Sequence, residues 1–562
     1  MTTAGRDGTQ LGSRHSTSRL LQSSALIGVG TALSRLTGFL RVAAVLYALG
    51  VTTVGGVYGY SNEIPNMVYE LLLGGVLTAT LVPQFVRHFQ RQDDEAVSAV
   101  FTVAMLALLA VTVVGIVLAP YIVDLYTLRV SGPGKADQQE LATSFLRCFM
   151  PQMVFYGLTA LATAMLQARQ RFFAPAFAPI LNNVVVISIF LVLPQLTSRP
   201  ITVAEISADP FLLLFIGLGT TAGIAAMGLA LLPALHRAQI RLRFLPAWRH
   251  AAVRTMVRLS GWTVGYVIAN QVALFVVLVL ANEERGGALV YLSAYAFFQL
   301  PHGLFAVSIT SAVAPELAAA GARADPPALR HRFSRALRLM LTVIIPAAAI
   351  YVALARPIVV ALLQRGAFDA ADAAVVADTL VAFAIGLPFF STYLFALRAF
   401  YSLEDTKTPF FINCAENAVN IALALALFSW LEIPGLGLAF SGAYAVATVL
   451  TLVVLSRRIG GLSGRGIETS AAKVLAVSAA AGGVAWLVAH VIGWDTTGAA
   501  IVTVVLGLGA ASVVTVGGLR LLKVEEYTEL AAILGPRLRR MAASTTAWRP
   551  GRDRGPSADV ER

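Results

Sequence analysis

Residues 34–47 read SRLTGFLRVAAVLY, and this stretch decides how the chain must fold. It lies inside an apolar run that continues to Gly50, yet it carries two arginines, Arg35 and Arg41. An arginine at the centre of a lipid-facing helix costs roughly 3 kcal/mol on insertion scales. We therefore expect the two guanidinium groups to face something other than lipid.

The composition of the 562-residue chain indicates a membrane protein. Hydrophobic residues make up 57% of it and charged residues only 13%, against about 25% charged residues in an ordinary soluble domain. The net charge of +12 could suggest a nucleic-acid partner, but cytoplasmic membrane loops also produce a basic excess. We predict no nucleic-acid partner. The two cysteines, Cys148 and Cys414, lie in apolar runs and predict neither a disulfide framework nor a zinc site.

Apolar segments long enough to cross a bilayer recur along the whole chain, each needing about 20 residues. We predict an all-α membrane protein with about fourteen transmembrane helices, of which the second covers residues 55–85, the eleventh 409–430 and the twelfth 435–456. In that topology, the loops on the amino-terminal side carry about three times as many Arg and Lys residues as the opposite loops. Because cytoplasmic loops hold the basic excess, we predict that both termini are cytoplasmic.

Two pairs of similar segments indicate an internal repeat. YGYSNEIPN at 58–66 resembles AYAFFQLPH at 294–302, and PAFAPILNN at 175–183 resembles PFFINCAEN at 409–417. Both pairs are about 235 residues apart, which predicts two parallel six-helix repeats, an N-lobe and a C-lobe. The predicted divisions are a cytoplasmic segment 1–23, the N-lobe 24–235, the C-lobe 236–470, two extra helices 471–523 and a basic cytoplasmic tail 524–562.

Polar residues inside the predicted spans indicate a water-filled cavity between the two lobes. There are too many of them for a bundle surrounded only by lipid. A guanidinium is always protonated and presents a planar fork that suits phosphate, so we expect an anionic, phosphorylated solute. The predicted substrate-binding residues are Arg35, Arg41, Glu63, Asn66 and Glu70.

Other interpretations of these polar residues stay open. The long side chain of Arg35 could reach the membrane interface, and Glu63 and Glu70 could be counter-ions of the arginines. Most asparagines could form hydrogen bonds between helices. A second cluster, with members spaced i to i+4, could instead serve coupling to Na⁺ or H⁺. Its members are Asn413, Glu416, Asn417 and Asn420.

The predicted cytoplasmic loops carry no sequence motif of an enzyme or an ATP-driven machine. They contain no nucleophile elbow, zinc motif or P-loop. GLGTTAG at 217–223 superficially matches a dinucleotide loop, but it lies in a span without a preceding strand, so small-residue helix packing explains it. We therefore predict no catalytic residue, no bound metal and no cofactor.

Several motifs resemble those of a known family. They are SRLTGFLR at 34–41, NEIPN at 62–66, LVPQF at 81–85, RFFAPAFAPILNN at 171–183, LPHGLFAVSITSAVAPELA at 300–318 and, most specifically, YSLEDTKTP at 401–409. Through these motifs the chain resembles the MurJ (MviN) lipid II flippases of bacteria. Their superfamily includes the polysaccharide-unit flippases and the MATE drug exporters. The resemblance covers about the first 525 residues.

The resemblance implies a bilobed bundle in the bacterial cell membrane that works by alternating access. Its substrate would be lipid II, the undecaprenyl-pyrophosphate-linked peptidoglycan precursor, carried from the inner to the outer leaflet. The resemblance also implies dependence on membrane potential or an ion gradient rather than on ATP. Arg35 and Arg41 match the two first-helix arginines of the family. The family's basic pair in the second helix falls at Tyr69 and Glu70, and its eighth-helix arginine falls near Ala296.

Two other functions stay open at the level of sequence. A flippase for another polyprenyl-linked glycan could use the same arginines on a phosphate. A membrane scaffold could recruit cell-wall synthesis proteins through the basic tail and loops, and the buried arginines would then be dispensable. A drug or cation antiporter is disfavoured because cationic guests favour acidic cavities. The expected partners are a lipid-linked anionic substrate, membrane lipid and, for the scaffold, cell-wall synthesis proteins.

Overall fold

The computed structural model describes residues 30–71, 81–197, 201–259, 261–462 and 464–528. All regular secondary structure in these residues is helical, which confirms the all-α class. Twelve helical segments in this part, some of which join two of the helices named below, are long and apolar enough to cross a membrane. The count of fourteen spans and the two-repeat layout stay predictions. The predicted cytoplasmic segment 1–23 lies outside the described residues.

The first half of the described chain forms ten helices. They are α1 (Gly30–Leu49), α2 (Thr53–Tyr69), α3 (Val82–Gln90), α4 (Asp94–Tyr126), α5 (Lys135–Phe149), α6 (Gln152–Ala168), α7 (Phe173–Val192), α8 (Val203–Ala208), α9 (Pro210–Leu229) and α10 (Leu232–Arg237). A short 3₁₀ turn, Leu193–Gln195, follows α7. The second predicted span includes residues 72–80, which lie outside the described part.

The second half forms longer helices. They are α11 (Ala251–Leu259), α12 (Gly261–Ala281), α13 (Gly287–Pro301), α14 (Val307–Ala322), α15 (Pro326–Leu363), α16 (Ala370–Ser402), α17 (Lys407–Arg458), α18 (Gly464–Ile492) and α19 (Thr497–Leu521). A π-helical turn, His302–Ala306, joins α13 to α14.

Side-chain caps explain where several of the long helices begin. Asp93 accepts a hydrogen bond from the first turn of α4, Asp325 from that of α15 and Thr496 from that of α19. Asp369 and Asp372 form a reciprocal capping box at the start of α16. Such residues satisfy backbone N–H groups that have no partner within the helix.

The helix α17 is a hairpin of two arms. Its 52 residues would extend about 78 Å as one rod, far beyond the roughly 30 Å bilayer core. Glu432 has non-helical backbone angles (φ 50°, ψ −133°), and Pro434 follows it. The Arg458 guanidinium lies 2.7 Å from the Asp405 carboxylate, so the two ends of α17 meet. The sequence predicted separate spans at 409–430 and 435–456, and the break falls between them.

The two halves of the molecule contact each other closely at one end of the bundle, hereafter the sealed end. Gly286 has a φ of 72°, and a Cβ on Gly56 would lie 3.1 Å from the Gly286 Cα, so the backbones approach directly. The polar contacts at this end are Asn282 Nδ2 to the Tyr126 carbonyl (3.0 Å), Val51 N–H to Asp372 Oδ2 (3.0 Å), Ala367 N–H to the Tyr47 carbonyl (2.9 Å) and the Arg129–Glu283 ion pair. They hold the two halves together at this end.

The last described residues pack on the bundle. Val524 and Glu526 are each only 3% exposed. One Glu526 carboxylate oxygen lies 2.8 Å from the Arg338 guanidinium of α15, and the other accepts a hydrogen bond from Ser470 Oγ of α18 at 2.9 Å. The first five residues of the predicted tail therefore tie α18 and α19 to α15, and residues 529–562 lie outside the described part.

Candidate functional site

A cavity of about 500 Å³ lies between the two halves. Helices α1, α2, α6, α7 and α9 form one wall, and α12, α13 and α17 form the other. The charged residues that line it are Arg41, Glu63 and Glu416. Polar groups at membrane depth are tolerated where they face such a space.

Arg41 is the one basic residue among the described residues that line this cavity. It is half-buried on α1 and forms no ion pair with any described residue. Tyr58 and Glu63 face the same space. Ala296, where the family resemblance leads us to expect an arginine, also lines the cavity. The Arg41 guanidinium is therefore free to bind an anion, without help from a second lining arginine.

Arg35 lies in a different space from Arg41. It lines a groove of about 1140 Å³ between α1, α13, α15 and α19, where Arg520 is the other charged lining residue. The rest of the groove is mostly apolar. The Arg35 guanidinium packs against Gly303 of the π-helical turn, where any Cβ would collide with it. Arg35 and Arg41 are six residues apart, so their side chains lie about 120° apart around the helix axis and face different spaces.

The predicted binding residues of α2 form no ion pair with either arginine. Glu63 lines the cavity, and Asn66 Nδ2 donates a hydrogen bond to Glu63 Oε1 at 2.9 Å. Glu70 is the C-cap of α2 and is half-buried, but it does not line the cavity. Among the described residues, neither carboxylate lies within 4.0 Å of an arginine or lysine nitrogen. The described residues therefore show no direct ion pair here, and the counter-ion interpretation stays a prediction.

The predicted coupling cluster on α17 divides into two parts. Asn413 Nδ2 and Asn417 Nδ2 both donate to Asn270 Oδ1 of α12, at 3.0 and 2.9 Å. These asparagines thus make the interhelical hydrogen bonds that the simpler interpretation expected. Glu416, Asn417 and Asn420 line the cavity. Glu416 Oε2, Asn420 Oδ1 and Asn413 Oδ1 are buried and have no hydrogen-bond partner among the described residues.

A hydrogen-bond network on the other wall positions α1 and α2. Asn183 Nδ2 of α7 donates to Thr37 Oγ1 of α1 at 2.9 Å. Gln152 Nε2 of α6 donates to Asn62 Oδ1 of α2 at 3.1 Å and to Thr221 Oγ1 of α9 at 3.3 Å. These bonds join the helices that carry Arg41 and Glu63 to their neighbours.

Sequence reasoning missed the aromatic part of the cavity lining. The tyrosines there are Tyr58, Tyr156, Tyr291, Tyr295 and Tyr444. A signal was available for Tyr444, because membrane tyrosines favour the two interfaces and Tyr444 lies well inside its arm of α17. Within the described residues, no group of three or more His, Cys, Asp or Glu could hold a metal ion.

Comparison with known proteins identifies the family. The model of the family described as "Lipid II flippase MurJ" matches residues 45–505, which is most of the chain. The chain belongs to the MurJ family. A relative from Rhizobium tropici, named "Probable lipid II flippase MurJ", is 28% identical over 479 residues, which cover 84% of this chain and 87% of the relative. The resemblance drawn from the motifs is confirmed.

Solved structures show that the fold is shared with MurJ and with more distant transporters. A structure titled "Lipid II flippase MurJ, inward closed conformation" matches with a TM-score of 0.73 at 20% identity, covering 89% of this chain and 99% of that one. An inward-facing multidrug resistance MATE family transporter of the MOP superfamily matches with a TM-score of 0.61 at 14% identity, covering 76% and 98%. The chain is therefore a multi-pass membrane protein with a transporter fold.

The most specific MurJ motif, YSLEDTKTP, has a structural role in this chain. Asp405 Oδ1 accepts hydrogen bonds from the backbone N–H groups of Lys407 and Thr408, both at 3.0 Å, and its other oxygen pairs with Arg458. Burial alone would raise the pKa of Asp405, but the hydrogen bonds from Thr408 and the charge of Arg458 hold it below its ordinary value. The motif closes the α17 hairpin and does not line the central cavity.

Proposed function

We propose that this chain moves lipid II from the inner to the outer leaflet of the bacterial cell membrane by alternating access. Membership of the MurJ family supports the substrate. The observation that carries the proposal is Arg41, a cationic group that faces a cavity between the two halves and has no ion-pair partner among the described residues. A guanidinium in such a place binds phosphate through two parallel hydrogen bonds. The attraction between the two charges is stronger there than in water.

The substrate has a polar head and an apolar tail, and the molecule offers a space for each. We propose that the head enters the central cavity while the tail lies in the apolar groove of α1, α13, α15 and α19. Helix α1 lines both spaces, with Arg41 in one and Arg35 in the other. Arg35 would then lie where the pyrophosphate joins the tail, and Glu63 would contact the head, whereas the roles of Asn66 and Glu70, which do not line the cavity, stay predictions.

The cavity is small for a disaccharide that carries a peptide, so substrate entry requires the lobes to separate. We propose that the sealed end faces outward and that entry occurs from the cytoplasmic side. The loops at the sealed end are those between α1 and α2, α4 and α5, α12 and α13, and α15 and α16. They are the loops with few basic residues, and the positive-inside rule places such loops outside and both termini in the cytoplasm.

The proposed role is transport without catalysis, a cofactor or ATP. Coupling to Na⁺ or H⁺ at Asn413, Glu416, Asn417 and Asn420 stays a prediction. Of the four, Glu416 and Asn420 have buried oxygens that line the cavity and lack a described partner, whereas the amides of Asn413 and Asn417 are bonded to Asn270.

The first test is complementation of a bacterial strain depleted of its own lipid II flippase. Arg41→Ala should abolish growth while membrane insertion and protein level stay normal, because the cavity loses its basic lining residue. Arg398→Ala is the matched control, since Arg398 is exposed on α16 and lines neither the central cavity nor the groove. Full growth of the Arg41→Ala strain would contradict transport through this cavity.

Two further measurements separate the alternatives. In proteoliposomes that contain defined lipid-linked precursors, transfer of lipid II to the outer leaflet supports the proposal, and transfer of only another polyprenyl-linked glycan supports that substrate instead. A truncation after residue 528 keeps the contacts of Glu526 and removes the rest of the tail. Loss of growth in this truncation, with normal growth of Arg41→Ala, would favour the scaffold for cell-wall synthesis proteins.

A further inference from the structure

The apolar groove of α1, α13, α15 and α19 has a charged end. Arg520, on the last turn of α19, and Tyr527 both line this groove. The Arg520 guanidinium lies 5.4 Å from the centre of the Tyr527 ring, where the ring face attracts a cation. Among the described residues, Arg520 forms no ion pair, and no Asp or Glu lines the groove. This end of the groove therefore favours an anion.

The packing of α19 on α15 places Arg520 far from the sealed end. A Cβ on Gly507 of α19 would lie 3.0 Å from a methyl group of Leu354 on α15, and Glu526 pairs with Arg338. The two helices are therefore antiparallel, and Arg520 lies about 20 Å beyond Gly507, away from the sealed end. The proposed function places the sealed end outward, so Arg520 lies on the side from which the substrate enters.

The two arginines of α1 lie deeper in the membrane than Arg520. The Tyr47 carbonyl accepts a hydrogen bond from Ala367 at the sealed end. Along α1, Arg41 lies about 9 Å and Arg35 about 18 Å from Tyr47, whereas Arg520 lies about 30 Å from the sealed end. From the entry side the order is thus Arg520, Arg35 and Arg41, and the first two share the groove.

The residues that follow α19 hold the charged end of the groove in place. The chain reverses at Lys523, which has a φ of 50°. The Val524 N–H donates to a carbonyl of the last turn of α19 at 3.0 Å, and Glu526 binds both α15 and α18. These contacts fix the position of Tyr527 beside Arg520. The guanidinium is therefore held at the groove by a built contact.

We propose that Arg520 is where the pyrophosphate of the transported lipid first binds, and that Arg35 receives it as the lipid moves along the groove. The inference rests on the proposed function and adds an entry site to it. A guanidinium presents a planar fork to two phosphate oxygens, and the apolar groove beyond it receives the polyprenyl tail. Arg520 would thus recognise the lipid carrier before the head reaches the cavity.

The first test measures lipid II transfer by the full-length protein in proteoliposomes over a range of lipid II fractions. Arg520→Ala should raise the fraction that gives the half-maximal rate about tenfold, since a charged hydrogen bond is lost on entry. The maximal rate should stay unchanged, because saturating lipid II compensates for weak capture. Arg520→Lys should recover part of the affinity, since lysine keeps the charge but lacks the planar fork.

Lys523→Gln is the matched control for a general effect of charge. A basic residue at this end of a helix also complements the helix dipole and attracts anionic lipid. Lys523 lies at the same end of α19, is exposed, and lines neither the groove nor the cavity. Its replacement should leave the half-maximal fraction unchanged. An equal shift in Lys523→Gln and Arg520→Ala would overturn the entry site.

The second test identifies the group that Arg520 binds. Full-length protein in phosphatidylcholine nanodiscs is titrated with lipid II and with undecaprenyl pyrophosphate, which lacks the sugars and the peptide. Arg520→Ala should weaken the binding of both probes by the same factor, because both carry the pyrophosphate. A loss confined to lipid II would assign Arg520 to the head and overturn the proposal. Displacement of undecaprenyl pyrophosphate by an equimolar amount of phosphatidylglycerol would show a site for any anionic lipid, which also overturns it.

The remaining outcomes separate this inference from the proposed function. If the wild type transfers lipid II and Arg520→Ala has the same half-maximal fraction, the entry site is wrong and lipid II transport stands. A lower maximal rate in Arg520→Ala, with an unchanged half-maximal fraction, would place Arg520 in a later step and likewise overturn the entry site. Failure of the wild type to transfer lipid II would overturn the proposed function itself.

Discussion

The contact between Arg35 and Gly303 shows how a single residue can set the position of a functional group. The guanidinium lies where a side chain at residue 303 would be, so a glycine there leaves the space for it. The contact also joins α1 to the turn between α13 and α14, and both elements line the apolar groove. The position of Arg35 at this groove thus depends on a residue far away in the sequence.

Gly303→Ala is expected to displace the Arg35 guanidinium and to lower flippase activity. Because both changes act on the same group, Gly303→Ala combined with Arg35→Ala should lose no more activity than Arg35→Ala alone. Lipid II transfer in proteoliposomes measures the effect. Gly483→Ala on α18 is the control, since a Cβ there meets nothing within 4 Å. Additive losses in the double variant would show that the two residues act independently.

At the scale of elements, the ion pair between Asp405 and Arg458 makes one long helical segment into a transmembrane hairpin. The break at Glu432 permits the reversal of direction, and the contact of the two ends holds it. The two arms carry Glu416, Asn420, Phe440 and Tyr444, which line one wall of the cavity. Closure of the hairpin therefore positions the candidate site from a distance.

Asp405→Asn should lower the free energy of unfolding by about 1 kcal/mol near neutral pH, since it removes a charge-assisted interaction. The pKa of Asp405 lies below its ordinary value of 3.8 in the folded protein. Its charge therefore contributes stability above the unfolded pKa, and that contribution is lost as the pH falls through the lower folded value. Thermal unfolding of the purified protein should thus show a difference at pH 7 that shrinks below about pH 4.

Asp495→Asn is the control for this measurement, because Asp495 is exposed between α18 and α19 and forms no described ion pair. It should leave the unfolding midpoint unchanged at both pH values. A difference for Asp405→Asn that stays constant from pH 7 to pH 3 would contradict an electrostatic role of the carboxylate.

At the scale of the whole molecule, the two halves of the chain meet at the sealed end, and the cavity lies between them. Three hydrogen bonds that each involve a backbone group hold this end, and the Arg129–Glu283 ion pair adds a pair of opposite charges across it. Alternating access requires this end to open. The strength of the contacts at the sealed end should therefore set how often the cavity is open to solvent on that side.

Arg129→Glu should open the sealed end more often, because it places two carboxylates where an ion pair stood. The opening is measured with a Ser293→Cys variant, because Ser293 lines the cavity. Cys148 and Cys414 are changed to serine in the same chain, so that the new cysteine alone is labelled. Labelling of whole cells with a membrane-impermeant thiol reagent should rise severalfold. Adding Glu283→Arg should restore the low level. Unchanged labelling in Arg129→Glu would show that the ion pair does not hold this end closed.

The fold class, the family and the approximate positions of the spans could be predicted from the sequence by itself. Hydropathy, length and motif order are local properties, and the bilayer requires helices of a given apolar length wherever they occur. The same reasoning correctly expected Arg41 in a polar space, since an arginine inside an apolar helix has few alternatives. It also anticipated the two arms of α17.

Only the tertiary structure decided which polar residues share a space. It separated Arg35 from Arg41, bonded Asn413 and Asn417 to Asn270, and left Glu416 facing the cavity without a described partner. These outcomes depend on helices that are far apart in the chain and on the rotation of each about its axis. No local pattern encodes that rotation, because it follows from how the side chains of all neighbouring helices pack together.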